Sequence, residues 1–115
     1  MCLVPVDIQC GHKLGMEDGS IPDDRITASS QWGSYTQPSN ARLNLNRCWY
    51  PAQFVGSWLQ VYMGLDPMHI EGVVTQGRSG VDDWVTHYQV QYSIDGTAWL
   101  YVNGDSTPQV RVLSK

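Results

Sequence analysis

The sequence predicts an all-β domain, and two observations support this fold class. Turn-forming pairs such as Asp18-Gly19, Asp66-Pro67 and Asp95-Gly96 recur along the chain, whereas helical periodicity of the apolar residues is hard to find. The chain has 115 residues, which is the usual size of one domain and leaves little room for a second core. We therefore expect a single β domain.

Residues 58–63 alternate as a strand requires. Leu59, Val61 and Met63 share one face, and Trp58, Gln60 and Tyr62 share the other. Shorter strands are predicted at residues 26–28, 42–45, 70–75, 99–102 and 109–113.

Residues 85–92 alternate more strictly, and here one face is predicted to be buried. Tyr88, Val90 and Tyr92 point one way, and we expect the opposite face, with His87, Gln89 and Gln91, to meet solvent. A hairpin turn should follow, in which Gly96 takes the positive φ that the turn needs. We predict five core residues from these strand patterns: Trp58, Val73, Tyr88, Val90 and Trp99.

Three segments between strands are poor in strand pattern, and we name them the first loop (residues 29–40), the second loop (residues 46–56) and the third loop (residues 78–84). The first two are rich in aromatic and polar residues. Loops on a rigid β scaffold are where binding side chains tend to lie. An aromatic side chain in a loop can instead fold back onto the core, and this alternative stays open for each of them.

Composition argues against two classes of protein. The net charge of −4 and the pI near 5.0 disfavour a general nucleic-acid binder, which needs a basic face to displace counterions from phosphates. No run of apolar residues is long enough to span a bilayer, and the first ten residues do not match a signal peptide because they lack a positive start.

The three cysteines, Cys2, Cys10 and Cys48, make an odd count. In an oxidising compartment one thiol is then left over or pairs outside the chain. No pair has the CxxC spacing of a zinc site, and inert buried thiols are an alternative. The pairing among the three stays open.

Several motifs occur in a specific order: LGMEDG at residues 14–19, ITASS at 26–30, ARLN at 41–44, GVVTQGR at 72–78 and WVTHYQVQYS at 84–93. In this order they resemble the discoidin family, the C-type domains of blood-coagulation factors. The resemblance runs from Cys10 to about Val102 and implies a jelly-roll β-sandwich with three loops projecting from one end. It divides the chain into an N-terminal extension at residues 1–9 and a discoidin-type domain at residues 10–115.

The resemblance also implies strands and a closing cysteine that do not occur before Lys115. We therefore expect a C-terminally shortened sandwich with an open sheet edge, which is a pairing liability. On that expectation the domain is marginally stable, retains a thiol and self-associates.

Candidate binding residues lie in all three loops. The resemblance places Trp32 in a loop where related domains expose apolar tips, and Tyr35 lies beside it without charged neighbours. Trp32 can instead pack on Trp49 or Tyr50, which we also count as candidate ligand contacts. Arg47 and Arg78 can engage an anionic group through their guanidinium forks. The alternative for Arg78, which we favour slightly, is an ion pair with Asp82 or Asp83.

Neither catalysis nor a metal cofactor is predicted. The histidines are scattered, and no serine or cysteine lies in a recognisable nucleophile motif. Carboxylates cluster at residues 17–24 and 82–83, where calcium is an alternative to ordinary turn chemistry, but the spacing does not match an EF-hand.

The resemblance implies a non-catalytic, extracellular recognition or adhesion module. Two ligand classes stay open at its loop end: an anionic phospholipid membrane, and a glycan or glycoprotein of the cell surface. The alternative function is a structural module that binds a second protein chain through its open sheet edge.

Overall fold

The computed structural model describes residues 6–9, 12–66, 70, 72–102 and 109–113, and gives the backbone alone for residues 6–9, 12, 72 and 109–113. Within these residues the chain is all-β, as the sequence predicts. The described helical elements are two short 3-10 helices, Asp23–Arg25 and Pro38–Asn40.

The described strands form two sheets. In chain order the strands are β1 (Val6–Gln9), β2 (His12–Lys13), β3 (Ile26–Ala28), β4 (Trp58–Tyr62), β5 (Gly72–Val74), β6 (Gln89–Ser93), β7 (Leu100–Tyr101) and β8 (Gln109–Leu113). One sheet has the order β2-β1-β5, and the other has the order β3-β4-β8-β6-β7. Strand β8 runs parallel to both of its neighbours, and the other pairs are antiparallel.

The two sheets share one core, as a sandwich requires. Leu59 and Val61 of β4 are fully buried, and Val73 of β5 packs against the same cluster. Burial alternates along β4, so the predicted alternation of residues 58–63 is confirmed and the face with Leu59 is the inner one. Met16 and Trp49, both outside the strands, complete this core.

Most of the short strands lie where the sequence predicts them. Strands β3 and β8 coincide with the predictions, and β5 and β7 are shorter than predicted. The strand predicted at residues 42–45 is wrong, because Asn44 adopts a φ of 58° and the chain turns there. The Arg42 guanidinium lies almost buried and donates to the carbonyls of Met16 and Ile21 at 2.9 and 2.8 Å.

The predicted faces of residues 85–92 are partly wrong. Tyr88 and Val90 do pack against the core, but Gln91 is only 5% exposed and Tyr92 lies on the surface. Gln91 and Ser93 are buried on one face of β6, while Val90 on the other face packs against the core, so both of its faces are partly covered. Sequence alternation identifies an inner face only when the other face is solvated.

Of the five predicted core residues, Val73, Tyr88 and Val90 pack against the core cluster. Trp58 and Trp99 are half-buried and lie outside that cluster. The hairpin turn after β6 is confirmed, since Gly96 has a φ of 80°.

The described backbone bears on two predictions about the chain ends, the N-terminal extension and the open sheet edge. Strand β1 lies within the predicted extension, yet it pairs with both β2 and β5. Strand β8 is paired on both sides, so β3 and β7 form the edges of its sheet. The domain boundary and the self-association stay predictions.

Candidate functional site

The first and second loops are joined by main-chain hydrogen bonds. The Trp32 N–H donates to the Tyr50 carbonyl at 2.7 Å, and the Tyr50 N–H donates to the Thr36 carbonyl at 3.2 Å. The Ala52 N–H donates to the Ser30 hydroxyl oxygen at 3.0 Å. These bonds make the two loops one unit, because displacing either loop would break its pairing with the other.

Trp49 anchors this unit in the core. Its side chain has no exposed surface, and its indole Nε1–H donates to the Ser30 carbonyl at 2.8 Å. This burial makes Trp49 a core residue and disfavours direct contact with a ligand, and its predicted ligand contact stays a prediction. Its neighbour Tyr50 is half-buried and lies between the core and the loop surface.

Polar side chains hold the first loop in a compact shape. The Thr36 hydroxyl accepts from the Gly33 N–H at 2.9 Å, and the Asn40 amide donates to the Tyr35 carbonyl at 2.7 Å. Asn40 is buried, so its bond fixes the Tyr35 backbone while the phenol ring stays 81% exposed. The loop thus presents an aromatic ring from an ordered backbone.

The third loop closes on itself and is tied to the rest of the site through Gln76. The Arg78 N–H donates to the Asp83 carbonyl at 2.9 Å. A Cβ atom at Gly77 would lie 3.1 Å from that same carbonyl oxygen, so this close approach favours glycine. Before the loop, the Gln76 Oε1 accepts from the Asn44 N–H at 2.9 Å.

The three loops surround one cleft of about 590 Å³. Five of the six predicted binding residues line it, and these are Trp32, Tyr35, Arg47, Tyr50 and Arg78. The geometry therefore brings together residues that are separated by up to 46 positions in the chain (78 − 32).

Aromatic rings form a continuous row across this cleft. Trp32 and Tyr50 pack edge to face with ring centroids 6.3 Å apart, and Tyr50 and Phe54 do the same at 6.1 Å. The sequence offered the alternative that Trp32 packs on Tyr50, and this contact exists. It leaves Trp32 73% exposed, so the ring also remains accessible.

The cleft carries two arginines with accessible guanidinium groups. Arg47 and Arg78 are exposed, and neither forms an ion pair within the described part of the chain. The alternative ion pair of Arg78 with Asp82 or Asp83 is therefore wrong, and only the Arg78 main chain bonds to Asp83. Two cationic groups that pair with no described carboxylate are suited to an anionic ligand.

Phe54, which is not among the binding residues predicted from the sequence, lines the cleft and is 62% exposed. The adjacent Val55 is also exposed, as is Val81 in the third loop. All three lie in predicted loops, and an apolar side chain within a loop was the available signal. Thr36, Asn46 and Asp83 also line the cleft without having been predicted as contacts.

The carboxylates near residue 17 take part in local hydrogen bonds. The Lys13 ammonium donates to Glu17 at 2.7 Å and, together with the Asn44 amide, lowers the pKa of that carboxyl. Hydrogen bonds from the Ser20 side chain and from its N–H lower the Asp18 pKa, and Asp23 pairs with Arg42 at 2.6 Å. Among the described residues no group of three metal-ligating side chains is found.

Cys48 borders the cleft and is disulfide-bonded. Its partner lies outside the described residues, so the choice between Cys2 and Cys10 stays open.

A model of the F5/8 type C domain matches residues 25–114, which include all three loops and both strands that flank β8. The chain belongs to this family. The discoidin resemblance of the sequence is thereby confirmed, as is the β-sandwich class that it implies. Domains of this family are binding modules without catalytic activity.

Three relatives are identical to this chain at more than a third of the aligned positions. The chain is 39% identical over 109 residues to retinoschisin of Takifugu rubripes, covering 86% of the chain and 38% of that protein. It is 36% identical over 119 residues to human neuropilin-2, covering 92% of the chain and 13% of the relative. It is 41% identical over 100 residues to mouse coagulation factor V, covering 78% of the chain and 4% of the relative.

The chain thus spans well under half the length of each of these proteins. These relatives are secreted or cell-surface proteins, and the extracellular location expected for this F5/8 type C domain agrees with them. Within the described residues, no helix is long and apolar enough to cross a membrane.

Proposed function

We propose that this F5/8 type C domain is a non-catalytic recognition module that binds an anionic phospholipid membrane through its three loops. The observation that carries the proposal is the cleft, where exposed aromatic rings from two loops lie beside two arginines that form no ion pair with any described residue. Apolar insertion combined with local positive charge is the usual basis of reversible membrane binding.

The exposed apolar side chains favour a lipid surface. Trp32 and Tyr35 belong to the first loop, Phe54 and Val55 to the second, and Val81 to the third. Indole and phenol rings suit the headgroup region because they combine an apolar body with a polar edge. Val55 and Val81 have no hydrogen-bonding group for a sugar, so the membrane accounts for more of this surface than a glycan does.

The arginines supply the selectivity for an anionic headgroup. Each basic residue near an anionic surface contributes about 1 kcal/mol, and Arg47 and Arg78 together contribute about 2 kcal/mol. The net charge of −4 is spread over the whole chain, and its repulsion is screened beyond about 10 Å at moderate salt. Within the cleft the two guanidinium groups outnumber the Asp83 carboxylate, so we expect a net attraction to an anionic headgroup.

A cell-surface glycan is the second candidate. The cleft of about 590 Å³ is lined by Thr36 and Asn46 as well as by the aromatic rings. Aromatic faces stack on sugar rings, while amide and hydroxyl groups bond the sugar hydroxyls. The alternative of self-association draws on a different surface, the edge strand β7, whose Leu100 and Tyr101 are both exposed.

The deciding experiment compares binding of the unmodified protein to two kinds of vesicle, measured by sedimentation, with its binding to a glycan array. Vesicles of phosphatidylserine in phosphatidylcholine test the proposal, pure phosphatidylcholine vesicles test the role of charge, and a glycan array tests the second candidate. We expect binding to the mixed vesicles that weakens with salt. Binding to glycans without vesicle binding would replace the proposal by the second candidate.

A further inference from the structure

We propose that the side-chain pair of Asn44 and Gln76 positions the third loop against the second and thereby sets the spacing between Arg47 and Arg78. This inference rests on the function proposed above and adds the residues that determine its charge selectivity. Neither Asn44 nor Gln76 lines the cleft, so both would act on the ligand through the arginines.

Asn44 and Gln76 are joined by two hydrogen bonds, one from the Asn44 main chain and one between the two side chains. The Asn44 N–H donates to the Gln76 Oε1 at 2.9 Å, and the Gln76 Nε2 donates to the Asn44 Oδ1 at 3.3 Å. Asn44 precedes Arg47 by three residues, and Gln76 precedes Arg78 by two. A contact at this point therefore fixes the starting positions of both arginine-bearing segments.

The backbone at Asn44 supports a specific role. Asn44 has a φ of 58° and is the non-glycine residue with positive φ among the described residues. Asparagine tolerates this left-handed region better than most residues, but the region remains sparsely populated. Asn44 in this conformation donates its N–H to Gln76, so an uncommon backbone conformation coincides with a bond between two segments distant in sequence.

A third residue holds Asn44 from the opposite side. The Asn44 Nδ2 donates to the Glu17 Oε1 at 2.9 Å, and the other Glu17 oxygen accepts from Lys13 at 2.7 Å. Asn44 is thus fixed to the body of the domain and to the third loop at once. Asn44 and Gln76 are both exposed, so the pair contributes little to the core and its loss should leave the fold intact.

The consequence for binding is geometric. An anionic group can contact two guanidinium groups at once only if their separation matches its oxygens. Releasing the third loop lets Arg78 sample other positions, and each ligand then has to restrict that motion on binding. The loss of affinity should therefore affect the charge-dependent part of vesicle binding and should leave the apolar contacts of Trp32 and Tyr35 unchanged.

The test is a double-mutant cycle of Gln76→Met and Arg78→Gln, with sedimentation on phosphatidylserine-containing vesicles as the readout. Methionine keeps the length of glutamine and removes both hydrogen bonds. We expect Gln76→Met to weaken binding about three- to tenfold, the range for loss of one or two hydrogen bonds. In the Arg78→Gln background the same change should have no further effect.

Asn44→Gly is a second variant, since glycine accepts the positive φ and removes the side-chain bond at 3.3 Å while keeping the N–H that donates to Gln76. It should weaken vesicle binding less than Gln76→Met does, while the melting temperature stays close to that of the unmodified protein. An equal loss from Gln76→Met in both backgrounds, or no loss in either, would overturn the inference.

A ligand-free measurement separates this inference from the proposed function. Backbone ¹⁵N relaxation of residues 78–83 should show greater mobility in Gln76→Met than in the unmodified protein. If the unmodified protein binds no vesicles, the proposed function fails, and the relaxation data still decide the positioning role. Unchanged relaxation would refute that role.

Discussion

The indole ring of Trp32 packs edge-on against the phenol ring of Tyr50, and the Trp32 N–H donates to the Tyr50 carbonyl at 2.7 Å. Backbone and side chain thus fix the position of a ring that is still 73% exposed. An ordered and exposed ring loses little conformational entropy when it meets a ligand. This relationship makes Trp32 the first residue to test.

We predict that Trp32→Ala lowers vesicle binding and leaves the fold intact. Exposed side chains contribute within about 0.5 kcal/mol to stability, whereas loss of an indole from the contact surface should weaken binding clearly. The measurements are vesicle sedimentation and thermal melting followed by circular dichroism.

Trp49→Ala is the matched control, because the same side chain is removed from the core of the same pair of loops. Truncation of a buried tryptophan costs about 3 to 5 kcal/mol, so this variant should melt at a much lower temperature. A large loss of stability in Trp32→Ala would instead make Trp32 a structural residue.

A second prediction concerns the charge in the cleft. Arg47→Gln should weaken binding to phosphatidylserine-containing vesicles about fivefold at low salt, since one basic residue contributes about 1 kcal/mol there. The difference should shrink as salt is added.

Arg25→Gln removes the same charge outside the cleft, where Arg25 lies over the Tyr62 ring at 5.5 Å from its centroid. It should leave vesicle affinity close to that of the unmodified protein. Equal losses from both variants would show that total charge, and not the cleft, governs binding.

A third prediction concerns the buried amide of Gln91. Its Oε1 accepts no hydrogen bond from the described residues. A buried polar group without a partner costs about 1 to 3 kcal/mol, so Gln91→Met should raise the free energy of unfolding by about 1 kcal/mol. Urea denaturation measures this change, and a destabilised variant would indicate that the amide has a partner, such as a buried water.

A fourth prediction concerns pH and the hairpin after β6. The N–H groups of Ala98 and Thr97 and the Ser93 hydroxyl donate to Asp95, which lowers its pKa well below the ordinary 3.8. A carboxyl with a lowered pKa in the folded state stabilises the fold above its unfolded pKa and loses that effect as pH falls.

Asp95→Ala should therefore melt below the unmodified protein at neutral pH, and the gap should narrow as the pH falls below 3.8. Asp66→Ala, at another exposed bend, is the control and should leave the melting profile unchanged. A gap that stays constant across this pH range would contradict the role of the Asp95 charge.

The local sequence pattern was enough to predict strands that have a single buried face and turns that depend on one glycine. Strand β3 and the alternation of β4 follow from residue order, because β4 has one inner face and its period of two is visible in the chain. The turn at Gly96 follows from glycine's freedom at positive φ. The same reasoning failed at residues 42–45, where Arg42 reaches carbonyls 21 and 26 residues away.

For the binding residues, too, some properties follow from the sequence and others only from the tertiary structure. The sequence by itself determined the all-β class, the position of the loops and the residue types available in them. It could not separate Trp32 from Trp49, since both lie in aromatic loops with polar neighbours. Only the tertiary structure decided that one is exposed and the other buried, because burial depends on which distant segments cover a side chain. The cleft, the accessible arginines and the contact of Asn44 with Gln76 likewise exist only after strands distant in sequence have paired.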